Sequence, residues 1–561
     1  MPLDQLGVTE VAEVDRKAGL RVSLACIPCR TRHIRCDAST PSCSRCQPDN
    51  RACSYTKSKR GGQRSKLLRR QAALDADMPR RPDVRDHLQF QSASNTAPMS
   101  LSAGTTPEIS DTSGSHSSAH DDGDHLSRQL RDSYYTNFHD AHPILLPQVH
   151  LMARLQSNSA SLQHVMLVME YIGSLYLPHI PSEGLKERIS NELVTGNLSM
   201  TGFSVQALML FALATHCCNN FGEARVLLDT AITMALEIKM QSRLFAYESG
   251  EGNDVMEESW RRTWWLLFII DGTFAGIRHE KSFKLLNINT DVDLPCEERE
   301  YAQGTIPTPK LLEEYETREF ADEEITFSSF AYLIDGARIA GAVLAASSDT
   351  GEAYDPVATP ADAKLVSWIV HLPECKKQMI NENRSMDEVI FQAHMLINLL
   401  GLYLHRPRSR LAYSSVEGTS KCTPAPLAEQ MMGMRQTARA LHTNKALESL
   451  ESLLGMMTLP TPIMKHTPLI ICALAMAIMG QISACRLVLE PKEVIEARER
   501  IRLGIGALRA FTEIWPLGRK TILEMKTIAR ELLNIPHAKG NETPVGQVLT
   551  REGVYTSSWS V

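Results

Sequence analysis

Between residues 126 and 535, apolar positions recur three and four apart in runs several turns long. Short stretches marked by proline or glycine separate the runs. The spacing predicts helices over 205–214, 224–239, 258–274, 330–346, 387–405, 428–457, 469–489 and 494–514. Alternation of period two is scarce, so 126–535 reads as one large all-α domain of many packed helices. The run 258–274 is apolar nearly all round, with Trp264, Trp265, Leu267 and Phe268 unable to share one face. That pattern predicts a central, buried helix. Its Arg261 and Arg262 are expected to pair with acids such as Glu257 or Glu258. The stretch 467–485 carries no charge and approaches the length of a membrane span. It contains Gln481 and Ser483 and has no one-sided basic flank, so it is read as a buried helix with no membrane partner.

Elsewhere the periodicity disappears. Residues 1–20 lack the apolar core of a signal peptide and read as a disordered leader. Residues 91–125 are rich in Ser, Thr, Gly, Ala and Asp and read as a disordered tether. Residues 57–90 form a basic linker in which Leu67 and Leu74 stand seven apart. A short helix there offers a route to a homodimer, although it is too brief for a coiled coil. The segment 536–561 reads as a loose tail.

Composition adds little until charge is mapped. The chain has 561 residues and a net charge of −6. Residues 21–70 hold thirteen Lys or Arg against only Asp37 and Asp49, a local balance of +11 that leaves −17 for the remainder. A basic head on an acidic body points to a polyanion partner for the head.

That head carries the chemistry. Cys26, Cys29, Cys36, Cys43, Cys46 and Cys53 write the half-motif C-x2-C-x6-C twice. A C-x2-C pair can bring two sulfurs to one metal, and without signs of secretion the set indicates zinc rather than disulfides. Structural zinc takes about four ligands. Two zinc ions need eight positions, which six sulfurs fill if two of them bridge. Cys26 and Cys43, the first cysteine of each half, are the equivalent candidates. One zinc is then held by Cys26, Cys29, Cys36 and Cys43, the other by Cys26, Cys43, Cys46 and Cys53. Thus residues 21–56 are expected to form a two-zinc module. The other seven cysteines are scattered without metal spacing and read as core thiols.

The frame is duplicated but the charge is not. Between Cys29 and Cys36 lie Arg30, Arg32, His33 and Arg35; between Cys46 and Cys53 lie only Arg51 and Asp49. Half one is therefore the expected DNA-facing element, and half two the scaffold with a phosphate contact through Arg45 or Arg51. Arginine on a helix in the major groove can grip guanine O6 and N7. Remaining basic groups neutralise phosphates.

The segment CIPCRTRHIRCDASTPSCSRCQPDNRACSY resembles the DNA-binding module of the fungal binuclear zinc cluster (Zn2Cys6) transcription factors, with every cysteine spacing and a loop proline, Pro41, in place. The resemblance implies two short helices, two zinc ions per chain and GC-rich double-stranded DNA as partner, often through CGG-type half-sites. Arg32 and His33 match the base-reading positions. The family usually has Lys at His33, so the ring changes that contact. KSKRGGQRSK resembles the family's basic linker, with Lys57, Lys59 and Arg60 on the phosphate backbone and a nuclear address in the same run. Looser likeness to the family's middle regulatory domain lies in YYTNFHDAHPILLP, GEARVLLDTAITMALEIKM, ESWRRTWWLLFIID, DVDLPCE and LHRPRSRL.

His139, His142, His216, His279 and His405 have no partner at metal spacing, and His279-Glu280 is not followed by the second histidine of a zinc-protease motif. Phosphate-binding, dinucleotide and nucleophile-elbow motifs are lacking too. The expectation is a nuclear, sequence-specific regulator of RNA polymerase II genes, with contacts to the transcription machinery and a metabolic or secondary-metabolite gene cluster as target. The alternatives are a zinc-dependent interaction protein and an enzyme with an accessory zinc module.

Overall fold

Capping residues set the helix ends in this computed structural model, which describes residues 26–32, 36–37, 39, 41–50, 52–54, 118–195, 198–320, 325–347, 358–381, 384–411, 413–420, 422 and 436–533. The chain divides after Ser110 into two units. In the first, helix α1 (Ile27–Thr31) opens the cysteine module. The principal helices of the second are α2 (Ser118–Asn137), α3 (Gln163–Leu175), α4 (Gly202–Cys217), α5 (Phe221–Glu237), α6 (Asp254–Ile277), α7 (Ser329–Ser347), α8 (Ala358–Val370), α9 (Glu388–His405), α10 (Gln436–Gly455), α11 (Ile470–Leu487), α12 (Pro491–Phe511) and α13 (Pro516–Leu532). Among the described residues the only β pairing is two isolated bridges, Leu294 with Lys310 and Ile380 with Met386.

Each predicted helix is present, with ends moved by local chemistry. The central helix starts at Asp254 because the Asn253 side chain accepts from the Val255 and Met256 N–H groups at 2.9 and 3.2 Å. Helix α12 starts at Pro491, where the missing N–H costs nothing and Glu490 and Glu493 form a capping box. Of the run expected over 428–457, α10 covers Gln436–Gly455, and 428–435 lies outside the described residues. Helix α2 begins at Ser118, a few residues ahead of the expected start of the helical domain at 126. Its support is tertiary. Gly173 of α3 lets α2 approach so closely that a Cβ there would stand 2.0 Å from the Leu130 carbonyl oxygen, and Ser133 Oγ donates to the Gly173 carbonyl at 2.9 Å.

Helix α6 runs through the middle as its composition predicts, with Trp264, Leu267, Ile270 and Asp271 at most 1% exposed. Helices α4 and α7 pack on it; α9 packs on α7, and α10 to α13 close the far side. The uncharged stretch 467–485 becomes α11, buried among these neighbours along most of its length.

The segments resembling the middle regulatory domain meet at buried polar ties. Arg262 Nε donates to Glu258 at 2.7 Å, its Nη1 to Glu298 at 2.7 Å and Pro143 O at 3.2 Å, and its Nη2 to Cys296 O at 2.8 Å. Its guanidinium lies 4.1 Å from the Tyr301 ring centroid. Arg261 pairs with Glu257 and Glu258, as expected. Asp271 accepts from Arg225 at 3.1 Å and from the Leu285 N–H at 3.0 Å. Arg406 grips Glu417 at 2.7 and 2.9 Å. These groups hold distant segments together inside the core.

The lone histidines have structural partners. His142 Nε2 lies 3.1 Å from Thr467 Oγ1, His216 stacks on Phe274, and His405 lies between Asp362 and His442. Burial pushes His139 and His142 down to about 3 and His216 to about 4, keeping them neutral.

Candidate metal centre and nucleic-acid interface

The two C-x2-C turns face each other. Helix α1 carries Cys29, and the Cys46 and Gln47 N–H groups fold back on the Cys43 carbonyl at 2.9 and 3.0 Å. Asp37 supports that second turn, accepting from the Ser44 N–H at 3.0 Å and from Ser39 Oγ at 2.6 Å. The Ile27 N–H donates to the Ser54 carbonyl at 2.9 Å, so both ends of the module meet.

Four sulfurs form the centre. Cys26 Sγ lies 3.8 Å from Cys43 and 3.7 Å from Cys46; Cys29 Sγ lies 3.6 Å from Cys43 and 3.7 Å from Cys46. Tetrahedral zinc with Zn–S of about 2.3 Å sets its sulfurs about 3.8 Å apart. The observed edges therefore fit thiolate ligands around zinc. Cys36 and Cys53 sit beside this quartet in matching places. The Cys26 N–H donates to Cys36 Sγ at 3.5 Å, and the Cys43 N–H to Cys53 Sγ at 3.3 Å. The relation of first to third cysteine is thus repeated in both halves. The close pair Cys29 and Cys46 joins sulfurs that the bridged scheme gives to different zinc ions; the facing of the two turns puts them together.

Electrostatics call for a cation. Burial pushes the Cys43 thiol up to about 12 and raises Cys26 further, so thiolates gathered here need positive charge. The hydrogen bond from the Cys43 N–H draws Cys53 down to about 7.

Arg32, matched to a base-reading position, stands where the two halves touch. Its Nη1 donates to Asp49 Oδ2 at 2.8 Å, its Nη2 faces Cys46 Sγ at 3.7 Å, and its Nε donates to the Pro28 carbonyl at 3.3 Å. Arg32 is the third residue after Cys29, and Asp49 the third after Cys46. The ion pair thus joins equivalent positions of the duplicated frame, one basic and one acidic. Sequence reading counted Asp49 only as a charge; its equivalence to Arg32 was the available signal. Both partners remain partly exposed, at 31% and 45%. The backbone of Arg30 belongs to α1. Its side chain, and His33, Arg35, Lys57, Lys59 and Arg60, lie outside the described residues.

Residues 24–62 match the fungal Zn(2)-Cys(6) binuclear cluster domain, and residues 131–352 match the fungal specific transcription factor domain. The two matched domains and a relative of the same character support a fungal Zn2Cys6 transcription factor. It is similar to the C6 finger domain transcription factor iacK of Pestalotiopsis fici, 29% identical over 555 residues that span 92% of this chain and 81% of the relative. No solved structure matches. These matches indicate a transcription regulator rather than an enzyme, with a cysteine domain that binds DNA and a cluster that holds two zinc ions.

Proposed function

We propose that the protein is a nuclear, sequence-specific regulator of RNA polymerase II genes that controls a metabolic or secondary-metabolite gene cluster. The observation that carries this reading is the facing pair of C-x2-C turns with its arginines on one half. All six cysteines are the ligands, with Cys26 and Cys43 bridging. The bound zinc supplies folding energy and fixes the pitch of α1; the chain's own residues supply the reading. Arg32 exchanges Asp49 for an acceptor on a base edge, assisted by Arg30, His33 and Arg35. Lys57, Lys59 and Arg60 follow the phosphates, and a homodimer through the linker sets the spacing of GC-rich, CGG-type half-sites. The helical body contacts the transcription machinery.

The test is a genome-wide binding map paired with transcript changes on deletion. The proposal expects peaks in promoters of clustered biosynthetic or metabolic genes whose expression then shifts. Peaks scattered without relation to expression, or absent, contradict it.

A further inference from the structure

The two halves of the cysteine frame are tied to each other at equivalent places. Ile27 follows the first cysteine of half one, and its N–H donates at 2.9 Å to the carbonyl of Ser54, which follows the last cysteine of half two. Ser44 follows the first cysteine of half two, and its N–H donates to the carboxylate of Asp37, which follows the last cysteine of half one. That contact measures 3.0 Å to Oδ1 and 3.3 Å to Oδ2. The two ties are therefore reciprocal. Each satisfies an N–H at the start of a helical turn, a group that has no partner inside the turn.

Their chemistry differs. Half one is held by a backbone carbonyl, which any residue at position 54 supplies. Half two is held by a side chain, so the identity of residue 37 decides whether the tie exists. The Asp37 carboxylate is steadied in turn by the Ser39 hydroxyl, which donates to Oδ2 at 2.6 Å. It also stands within 4.8 Å of the Cys36 and Cys43 sulfurs. Its oxygens are already engaged by Ser44 and Ser39, so it serves the turn rather than a metal.

The tied turn carries Arg45, the neighbour of Ser44. Arg45 is exposed, and among the described residues no carboxylate pairs with it. Arg32, by contrast, is shared with Asp49. A cation without an ion pair on a firmly held turn is suited to a phosphate, whose contacts set position rather than sequence.

From this we infer that Asp37 is a positioning residue for DNA binding: it fixes the second C-x2-C turn through Ser44 and so aims Arg45 at a phosphate of the duplex. The carboxylate itself makes no contact with DNA, and its charge alone would repel the backbone. Position and bare charge therefore act in opposite senses, which lets one be told from the other. This role rests on the reading of half two as a scaffold with a phosphate contact, and is independent of base reading by Arg32.

The test uses the full-length, zinc-loaded protein and a mixed-sequence DNA duplex, because a phosphate contact is indifferent to sequence. Asp37→Ala is expected to keep both zinc ions and to speed hydrogen exchange in a peptide spanning residues 43–47. It is expected to weaken binding about fivefold, the scale of one lost capping bond. Arg45→Ala is expected to weaken binding to a similar degree and to lower the slope of log affinity against log salt by about one. Asp37→Ala should lower the slope likewise, and the double variant should bind no more weakly than Arg45→Ala alone. Asp37→Asn keeps an oxygen for the Ser44 N–H and drops the charge, and is expected to restore binding to the parent level or above. Loss of zinc from Asp37→Ala overturns the inference by making the carboxylate part of the metal site. Undiminished binding by Asp37→Ala, unchanged exchange at 43–47, additive losses in the double variant, or an Asp37→Asn protein as weak as Asp37→Ala each overturn it as well. A parent protein that leaves the duplex unbound overturns the DNA reading and this role together, whereas every other contrary result overturns this role alone.

Discussion

Arg32 in the zinc module and Arg262 in the helical body are both held by carboxylates, at opposite extremes of exposure. Arg262 is fully buried, stacked on Tyr301, and donates to Glu258, Glu298 and two backbone carbonyls. Nothing can replace those partners without opening the core, so the group is structural. Arg32 is 31% exposed and shares one short ion pair with Asp49. Water, or a phosphate or base, can take Asp49's place at small cost. An arginine held by carboxylate is a permanent tie in one unit and an exchangeable contact in the other. Burial, not residue identity, decides which.

Four substitutions or conditions separate the two roles, the largest effect first. Cys36→Ser is expected to remove zinc from the module and abolish DNA binding, because metal binding there is folding energy. Elemental analysis that still finds two zinc ions per chain would refute this. Arg262→Ala takes from Glu258 one of its two buried arginine partners, removes the partner of Glu298, and is expected to cost about 3–5 kcal/mol of stability in the helical body. Chemical denaturation with an unchanged midpoint would make Arg262 as dispensable as a surface pair.

Acid comes next. His139 and His142 have folded values near 3 and His216 near 4, below the ordinary 6.5. Their depressed values contribute stability that is present above 6.5, erodes below it as the unfolded chain takes up protons, and is lost by pH 3 to 4. Each is expected to cost about 2 kcal/mol by pH 5. Thermal unfolding of the body that is flat from pH 7 to 5 would contradict the burial of these rings. The smallest effect belongs to the exposed pair. Asp49→Asn releases Arg32 and is expected to raise DNA affinity about threefold, with little change in stability. Equal affinity for both proteins in a fluorescence titration would show that Asp49 does not compete for Arg32.

The cysteine cluster was legible because metal spacing is local in sequence, and the central helix because an all-round apolar run has one stable place. The pair of Arg32 with Asp49 depended on how the two halves fold against each other, which spacing alone does not state. The equivalence of the two positions hinted at it. Helix α2 was hidden for a similar reason. Its start reads as a polar tether, and its hold on α3 comes from a backbone approach that only Gly173 permits. The middle-domain segments were recognisable as strings, but their meeting at Arg262 and Asp271 required the fold.

The proposal that half one of the cysteine frame reads DNA and half two supports it is tested most directly by in vitro site selection with the full-length protein and its Arg32→Ala and Lys59→Ala variants. The account predicts a GC-rich motif for the parent protein, a motif relaxed at one position for Arg32→Ala, and an unchanged motif bound more weakly for Lys59→Ala. An Arg32→Ala protein that selects the parent motif with undiminished preference would contradict it.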